Sequence, residues 1–235
     1  MTLRNKKVGS RPLPSSDKRQ QKQDSTSRGK IQGTPSADDA MVEFLEMSGY
    51  CSVAPGHPFH GPYHDAEYGF PSRSETVLFE RLTLEINQAG LSWLTILKKR
   101  QAFQAAFHGF AVDRVAHFGA RDRTRLLRDA GIIRNRLKIE SAVSNAGAFL
   151  DVQEEFGSFS KYQWGFVDGV PVRNKWDDIR QLPARTPLSD AFSKDLKKRG
   201  FTFVGSTIIY AHMQAVGMVN DHLTGCFRYR QVQKN

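Results

Sequence analysis

From residue 41 onward, apolar side chains recur at three- and four-residue spacings, the period of helices that bury one face. Leu78, Leu82 and Ile86 form such a stripe with Phe79 beside it, and Gly90 is placed to end the helix that carries them. Ser72 and Glu75 have the spacing of a capping box ahead of it. Further amphipathic stretches cover about 92–107 and 121–129. Between 129 and 138 the order Asp-Ala-Gly-Ile-Ile-Arg-Asn-Arg-Leu-Lys ends one helix near Gly131 and turns through Ile132 and Ile133. It then starts another helix through Ile139, Val143, Ala146 and Leu150, so the pair reads as an αα-hairpin. Thr186 and Pro187 open a helix with the stripe Leu188, Phe192 and Leu196 and a stop at Gly200. A last apolar helix over about 206–219 leads into His222. No run of alternating positions marks a sheet and no repeat is evident. The pattern predicts a mainly α-helical domain.

Residues 1–40 break this pattern. They are rich in Ser, Lys, Arg and Gln and almost lack aliphatics, so they cannot offset the entropy of ordering. The reading is a disordered basic tail over 1–40 and one folded domain over 41–235. Charge follows the same division: nine Lys/Arg against Asp17 and Asp24 in residues 1–36 leave only +3 of the net +10 for the rest. Such a tail can tether a protein to polyanions, but equally it can be a solvated extension. No apolar run is long enough to cross a bilayer, and the N-terminus lacks the apolar block of a secretory signal. A cytoplasmic, monomeric protein with no membrane partner is therefore expected.

Composition draws attention to the two cysteines, each near a histidine: Cys51 with His64, and His222 with Cys226. Four such ligands in two distant pairs suit one tetrahedral Zn²⁺, structural because no coordination position stays open. The same residues also fit two buried cysteines and two hydrogen-bonded histidines, or a disulfide. Glu85 falls at the edge of the Leu78/Leu82 stripe, where a carboxylate needs either a cationic partner or a cavity. Trp93 follows Gly90, and Tyr63 and Tyr68 flank the presumed ligand His64; rigid aromatic faces there suit a planar cationic ligand, or simply core. The basic clusters 98–100, 134/136/138 and 197–199 sit at helix ends, where they can meet phosphates or merely face solvent.

Taken in order, Tyr-His-Asp-Ala-Glu-Tyr-Gly (63–69), Leu-Glu-Ile-Asn-Gln-Ala-Gly-Leu-Ser-Trp (84–93) with Lys-Lys-Arg (98–100), and Asp-Ala-Gly-Ile-Ile-Arg-Asn-Arg (129–136) are followed by Leu-Lys-Lys-Arg-Gly-Phe-Thr-Phe-Val-Gly (196–205) and Met-Val-Asn-Asp-His-Leu-Thr-Gly-Cys (218–226). This set closely resembles the DNA-3-methyladenine glycosylase I family from about Tyr50 to Cys226. The resemblance implies a helix-hairpin-helix DNA glycosylase fold whose N- and C-terminal segments are stapled by one structural zinc ion on Cys51, His64, His222 and Cys226. It implies Glu85 as the base-contacting carboxylate and the catalytic candidate, and Tyr63, Tyr68 and Trp93 as its stacking aromatics. Gly90 and Leu91 would meet DNA at the lesion, and the hairpin with Gly131, Arg134 and Arg136 would grip the backbone. Tyr68 stands where the family commonly has Trp, and Tyr50 and Val53 stand where it commonly has Arg and Trp. The implied activity is excision of 3-methyladenine from alkylated double-stranded DNA, by hydrolysis and without strand cleavage, in a nucleoid-associated repair enzyme. The alternative is a zinc-stapled module that binds damaged DNA without chemistry.

Overall fold

The structure, a computed structural model, describes residues 49–232; the expected tail over 1–40 and the domain start at 41 lie outside them. Among the described residues the chain forms ten α-helices and one pair of two-residue strands. In order these are α1 (Tyr50–Val53), α2 (His60–Ala66), α3 (Glu75–Gln88), α4 (Trp93–Ala106), α5 (Val112–Ala116), α6 (Ala120–Arg128), α7 (Arg136–Phe156) and α8 (Phe159–Trp164). After β1 (Val172–Arg173) come α9 (Pro187–Lys198), α10 (Ser206–Ala215) and β2 (Val219–Asn220), which lies parallel to β1. No helix among the described residues is long and apolar enough to cross a membrane.

Helix α3 is the axis of the molecule. It packs against α4, α7, α8 and α10, so every residue from Leu78 to Asn87 is buried, not only the predicted stripe. Phe79 meets Phe149 of α7 edge to face at 5.6 Å between ring centres. Removing a side chain of that size from water stabilises the fold by roughly 1.5–3 kcal/mol. The same all-round burial encloses Glu80, Arg81 and Glu85, whose charges then need partners or a purpose.

Local chemistry explains most helix ends. Ser92, Asn135 and Thr186 accept from the backbone N–H three residues on, Ser189 completes a capping box with Thr186, and Pro187 occupies the first turn. Three boundaries differ from the sequence reading. Ser72 and Glu75 make no capping box: Ser74 precedes the helix, and Glu75 accepts from the Phe159 and Ser160 amides at 2.9 Å and from Gln153, capping α8 instead. The helix expected to end near Gly131 stops at Arg128, because Asp129 turns its side chain onto the Gly131 amide at 2.8 Å. The last helix stops at Ala215 rather than 219. Gly217, at φ 71°, lets the chain pass so close to Phe70 and Pro71 that a Cβ would sit 2.4 Å from their backbone. Beyond that turn Asp221 gathers Asn174, Trp176, Tyr210 and Gln214, each at 2.7 Å, and ties the 174–176 loop to α10.

Candidate functional site

The four predicted ligands converge from both ends of the described chain. Their donor atoms all lie within 4.8 Å of one another. Cys51 Sγ is 3.5 Å from His222 Nδ1, and Cys226 Sγ is 3.5 Å from both His64 Nε2 and His222 Nδ1. A tetrahedral ion with bonds of ~2.0–2.3 Å places sulfur and nitrogen ligands about 3.6 Å apart, so the spacing fits a metal. The remaining atoms agree. His64 Nδ1 meets Asp65 Oδ1 at 2.8 Å and His222 Nε2 donates to the Tyr68 carbonyl at 2.9 Å, which fixes both rings with a nitrogen turned inward. The Leu223 and Arg228 amides donate to Cys51 and Cys226 at 3.4 Å. The two thiols share one proton balance: their contact, with His222 and His64, draws the Cys226 thiol down, while the same contact and burial push the Cys51 thiol up. The four residues hold every geometric element of a closed metal site.

Beside this cluster lies a cavity of about 570 Å³. Five predicted residues line it: Glu85 from α3, Tyr63 from α2, Tyr68 just after α2, Leu91 between α3 and α4, and Trp93 at the start of α4. Tyr63 lies 5.2 Å from Trp93 and 6.3 Å from Tyr68 between ring centres, in tilted pairs that form one aromatic side of the cavity. Metal ligation and aromatic placement are linked: Tyr63 precedes His64, and Tyr68 offers its carbonyl to His222 and its ring to the same imidazole at 4.9 Å. Glu85 is 6% exposed. Burial pushes its carboxyl up to about 8, with the Arg81 charge opposing. Among the described residues it forms no hydrogen bond, and Trp93 Nε1 and His60 Nε2 are likewise buried without partners.

The sequence reading missed other wall residues, notably Tyr50, His60, Gln88 and Gln214, with Ile179 and Leu182 from the loop before α9. Tyr50 adjoins Cys51, so anchoring that ligand fixes Tyr50 too; that adjacency was a usable signal. His60 takes the Tyr50 hydroxyl at Nδ1 (3.3 Å), and burial, aided by His57, holds it down to about 4 and therefore neutral near pH 7. The loop residues carried no periodicity to read.

Gly90 and Leu91 form the turn between α3 and α4. Gly90 adopts φ 78° and the Leu91 amide returns to the Gln88 carbonyl at 2.7 Å, leaving Leu91 40% exposed at the cavity rim. The same leucine borders a second groove of about 540 Å³ with Lys99, Ile132, Ile133 and Arg134. Gly131 packs where a Cβ would lie 2.8 Å from Ala102, and Lys99 donates to the Ala130 carbonyl at 2.8 Å, so the turn is seated on α4. Arg134 and Arg136 are exposed on its outer side. Several other basic residues are not available to a phosphate. Lys138 is buried and caps α3 through the Asn87 and Ala89 carbonyls (2.8 and 2.6 Å), Arg100 pairs with Glu67 and Glu80, and Arg199 pairs with Glu155 and Asp195.

This arrangement has counterparts among known proteins. Residues 53–229 match the sequence model of a family described as methyladenine glycosylase. DNA-3-methyladenine glycosylase 1 of Escherichia coli (strain K12) is 45% identical over 179 residues, covering 76% of this chain and 96% of that protein. A crystal structure of 3-methyladenine DNA glycosylase I superposes with a TM-score of 0.73 at 48% identity, over 75% of this chain and 97% of the other. A variant of 3-methyladenine DNA glycosylase I solved in complex with 3-methyladenine gives 0.73 at 35% identity, over 76% and 96%. With fold, cavity and motif order in agreement, the chain belongs to the methyladenine glycosylase family.

Proposed function

We propose that this protein is a DNA repair glycosylase that extrudes 3-methyladenine from alkylated double-stranded DNA and hydrolyses its N-glycosidic bond. The observation that carries the reading is the cavity in which an unpaired, buried Glu85 faces three aromatic rings beside the exposed Leu91. A base alkylated at N3 is cationic and flat, and its glycosidic bond is already weakened. Reaching that bond requires taking the base out of the stack, at a cost of a few kcal/mol. Tyr63, Tyr68 and Trp93 would enclose the cation, each face contributing about 0.5–2 kcal/mol. Glu85 accepts from the base edge and balances its charge, whereas neutral adenine gains less from both. Leu91 fills the space left in the duplex, as apolar wedges do, while Gly90 lets the turn approach.

The segment 120–156 serves as a helix-hairpin-helix element, with Arg134 and Arg136 on phosphates and the Gly131 turn against the backbone. Zinc is the ion we assign to the Cys51, His64, His222 and Cys226 donors: thiolate and imidazole in tetrahedral spacing favour it. With four protein ligands it would hold structure and take no part in the chemistry. Among the described residues no lysine lines the cavity, which supports excision without a Schiff-base intermediate or strand cleavage. The protein works as a monomer on this reading.

The test is chromatography of bases released from methylated DNA. Wild-type protein should liberate 3-methyladenine and leave abasic sites in unbroken strands. Glu85→Gln should lower kcat/KM roughly 10- to 100-fold, the worth of a hydrogen bond to a charged group. Trp93→Ala should lower it about 2- to 30-fold. Full release by both variants would defeat the pocket assignment, and binding of alkylated DNA with no free base would leave a non-catalytic module.

A further inference from the structure

Beside α3 one hydrogen-bonded network of charges balances itself, and Glu85 lies outside it. Arg100 of α4 holds Glu80 through Nε (2.9 Å) and Nη2 (3.2 Å) and reaches Glu67 through Nη1 (2.7 Å). Arg81 closes the chain by donating from Nη2 to the other oxygen of Glu67, and Gln104 donates to Glu80 at 2.8 Å. Two guanidinium groups and two carboxylates cancel. Glu85 is the fifth charge and shares none of these bonds.

Arg81 lies one helical turn before Glu85, on the same face of α3. Its Cζ sits 5.1 Å from the centre of the Tyr63 ring. The residue is 3% exposed, yet Nε and Nη1 find no hydrogen-bond partner among the described residues. Bare N–H groups on a buried cation weaken a fold, so packing alone does not account for an arginine at this position.

We propose that Arg81 is a positioning residue for a cationic base: it backs the Tyr63 ring and, bonded to Glu67 rather than to Glu85, offsets the Glu85 carboxylate only in part, which leaves Glu85 outside the ion-pair network where a base bearing one positive charge would complete it. The inference rests on the function proposed above. The groups facing this pair are Tyr50 of α1, Tyr63 of α2, Glu67 after α2, Glu80 of α3 itself and Arg100 of α4. His212 of α10, uncharged because burial and Arg81 hold it down to about 3, and Lys138 of α7 at the end of α3 complete the surroundings. Burial raises the Glu85 carboxyl and Arg81 lowers it, so removing Arg81 lets burial act unopposed.

The experiment is the pH profile of kcat/KM for 3-methyladenine release from methylated DNA. Only ionised Glu85 balances the base, so the wild-type rate should rise with pH, reach half its plateau near pH 8 and level off about one pH unit above that. Arg81→Met should move that rise up by about one pH unit or more, which lowers the rate at pH 7 about tenfold and restores it in alkali. Arg81→Lys should return most of the profile. Glu67→Gln frees Arg81 from its partner and should move the rise the other way, to lower pH. This opposite displacement keeps the test decisive if Arg81→Met fails to fold. Profiles unchanged in both variants, or a loss equal at every pH in folded protein, overturn the role of Arg81. A wild-type protein that releases no base overturns the earlier reading instead.

Discussion

Two clusters of enclosed polar groups meet at α2, and they differ in one respect. In the Cys51/His64/His222/Cys226 cluster every imidazole and sulfur atom is engaged: donors face one another at 3.5 Å while Asp65, the Tyr68 carbonyl and two backbone amides hold them from behind. In the neighbouring cavity Trp93 Nε1 and His60 Nε2 are buried without hydrogen-bond partners among the described residues, and Glu85 forms no hydrogen bond there. Unsatisfied buried polar groups cost stability, and a fold keeps them where something else completes them. On the function proposed above, the saturated cluster acts as a fastener and the unsaturated one as a receptor. Their adjacency lets the first set the shape of the second.

Breaking the fastener should have the largest effect. Cys226→Ala or His222→Ala should abolish stoichiometric zinc in metal analysis and lower stability by about 4 kcal/mol or more in denaturant melts. Base release should then fall with the folded fraction. If a folded, metal-free variant keeps full activity and stability, the two clusters are independent and the comparison fails.

The receptor should show the reverse behaviour. Burial raises Glu85 from 4.5 to about 8, so the folded state holds that proton more tightly than the unfolded state does. The associated stability is fully present below about pH 4.5 and lost as pH rises to about 8. Glu85→Gln should therefore impair catalysis yet make the protein more resistant to denaturant at pH 8 than wild type, with the gain vanishing toward pH 4. A destabilised Gln variant at pH 8 would show Glu85 to be a structural group like its neighbours in the ion-pair network. The smallest effect belongs to the outer surface: Arg134→Ala and Arg136→Ala should each flatten the salt dependence of DNA binding by about one unit of slope without altering the choice of base.

Much of this was legible in the sequence because it rests on local rules. Thr186-Pro187, Ser92 and Asn135 announce helix starts by their own chemistry, and the four metal donors are rare residue types in a chain with two cysteines. Glu85 stood out because it interrupts an apolar stripe. What stayed hidden depends on distant partners. Glu75 looked like a cap for its own helix and serves α8, 84 residues on, since only the fold brings those amides within reach. Lys138 and Arg100, read as phosphate contacts or as solvated surface, are instead spent on carbonyls and carboxylates of α3 and its neighbours. Nothing in the periodicity singled out Arg81, because its burial depends on helices packed around every side of α3.

The Cys51–His222 contact joins residues 171 positions apart. During synthesis, the wall carrying Tyr50, Tyr63 and Tyr68 therefore waits for ligands made long after it. A ribosome-bound chain short of residue 222 would own the acid and the tryptophan but only an unfastened aromatic side. On the proposed function, then, the ability to grasp a flat cation depends on the last-made part of the described chain.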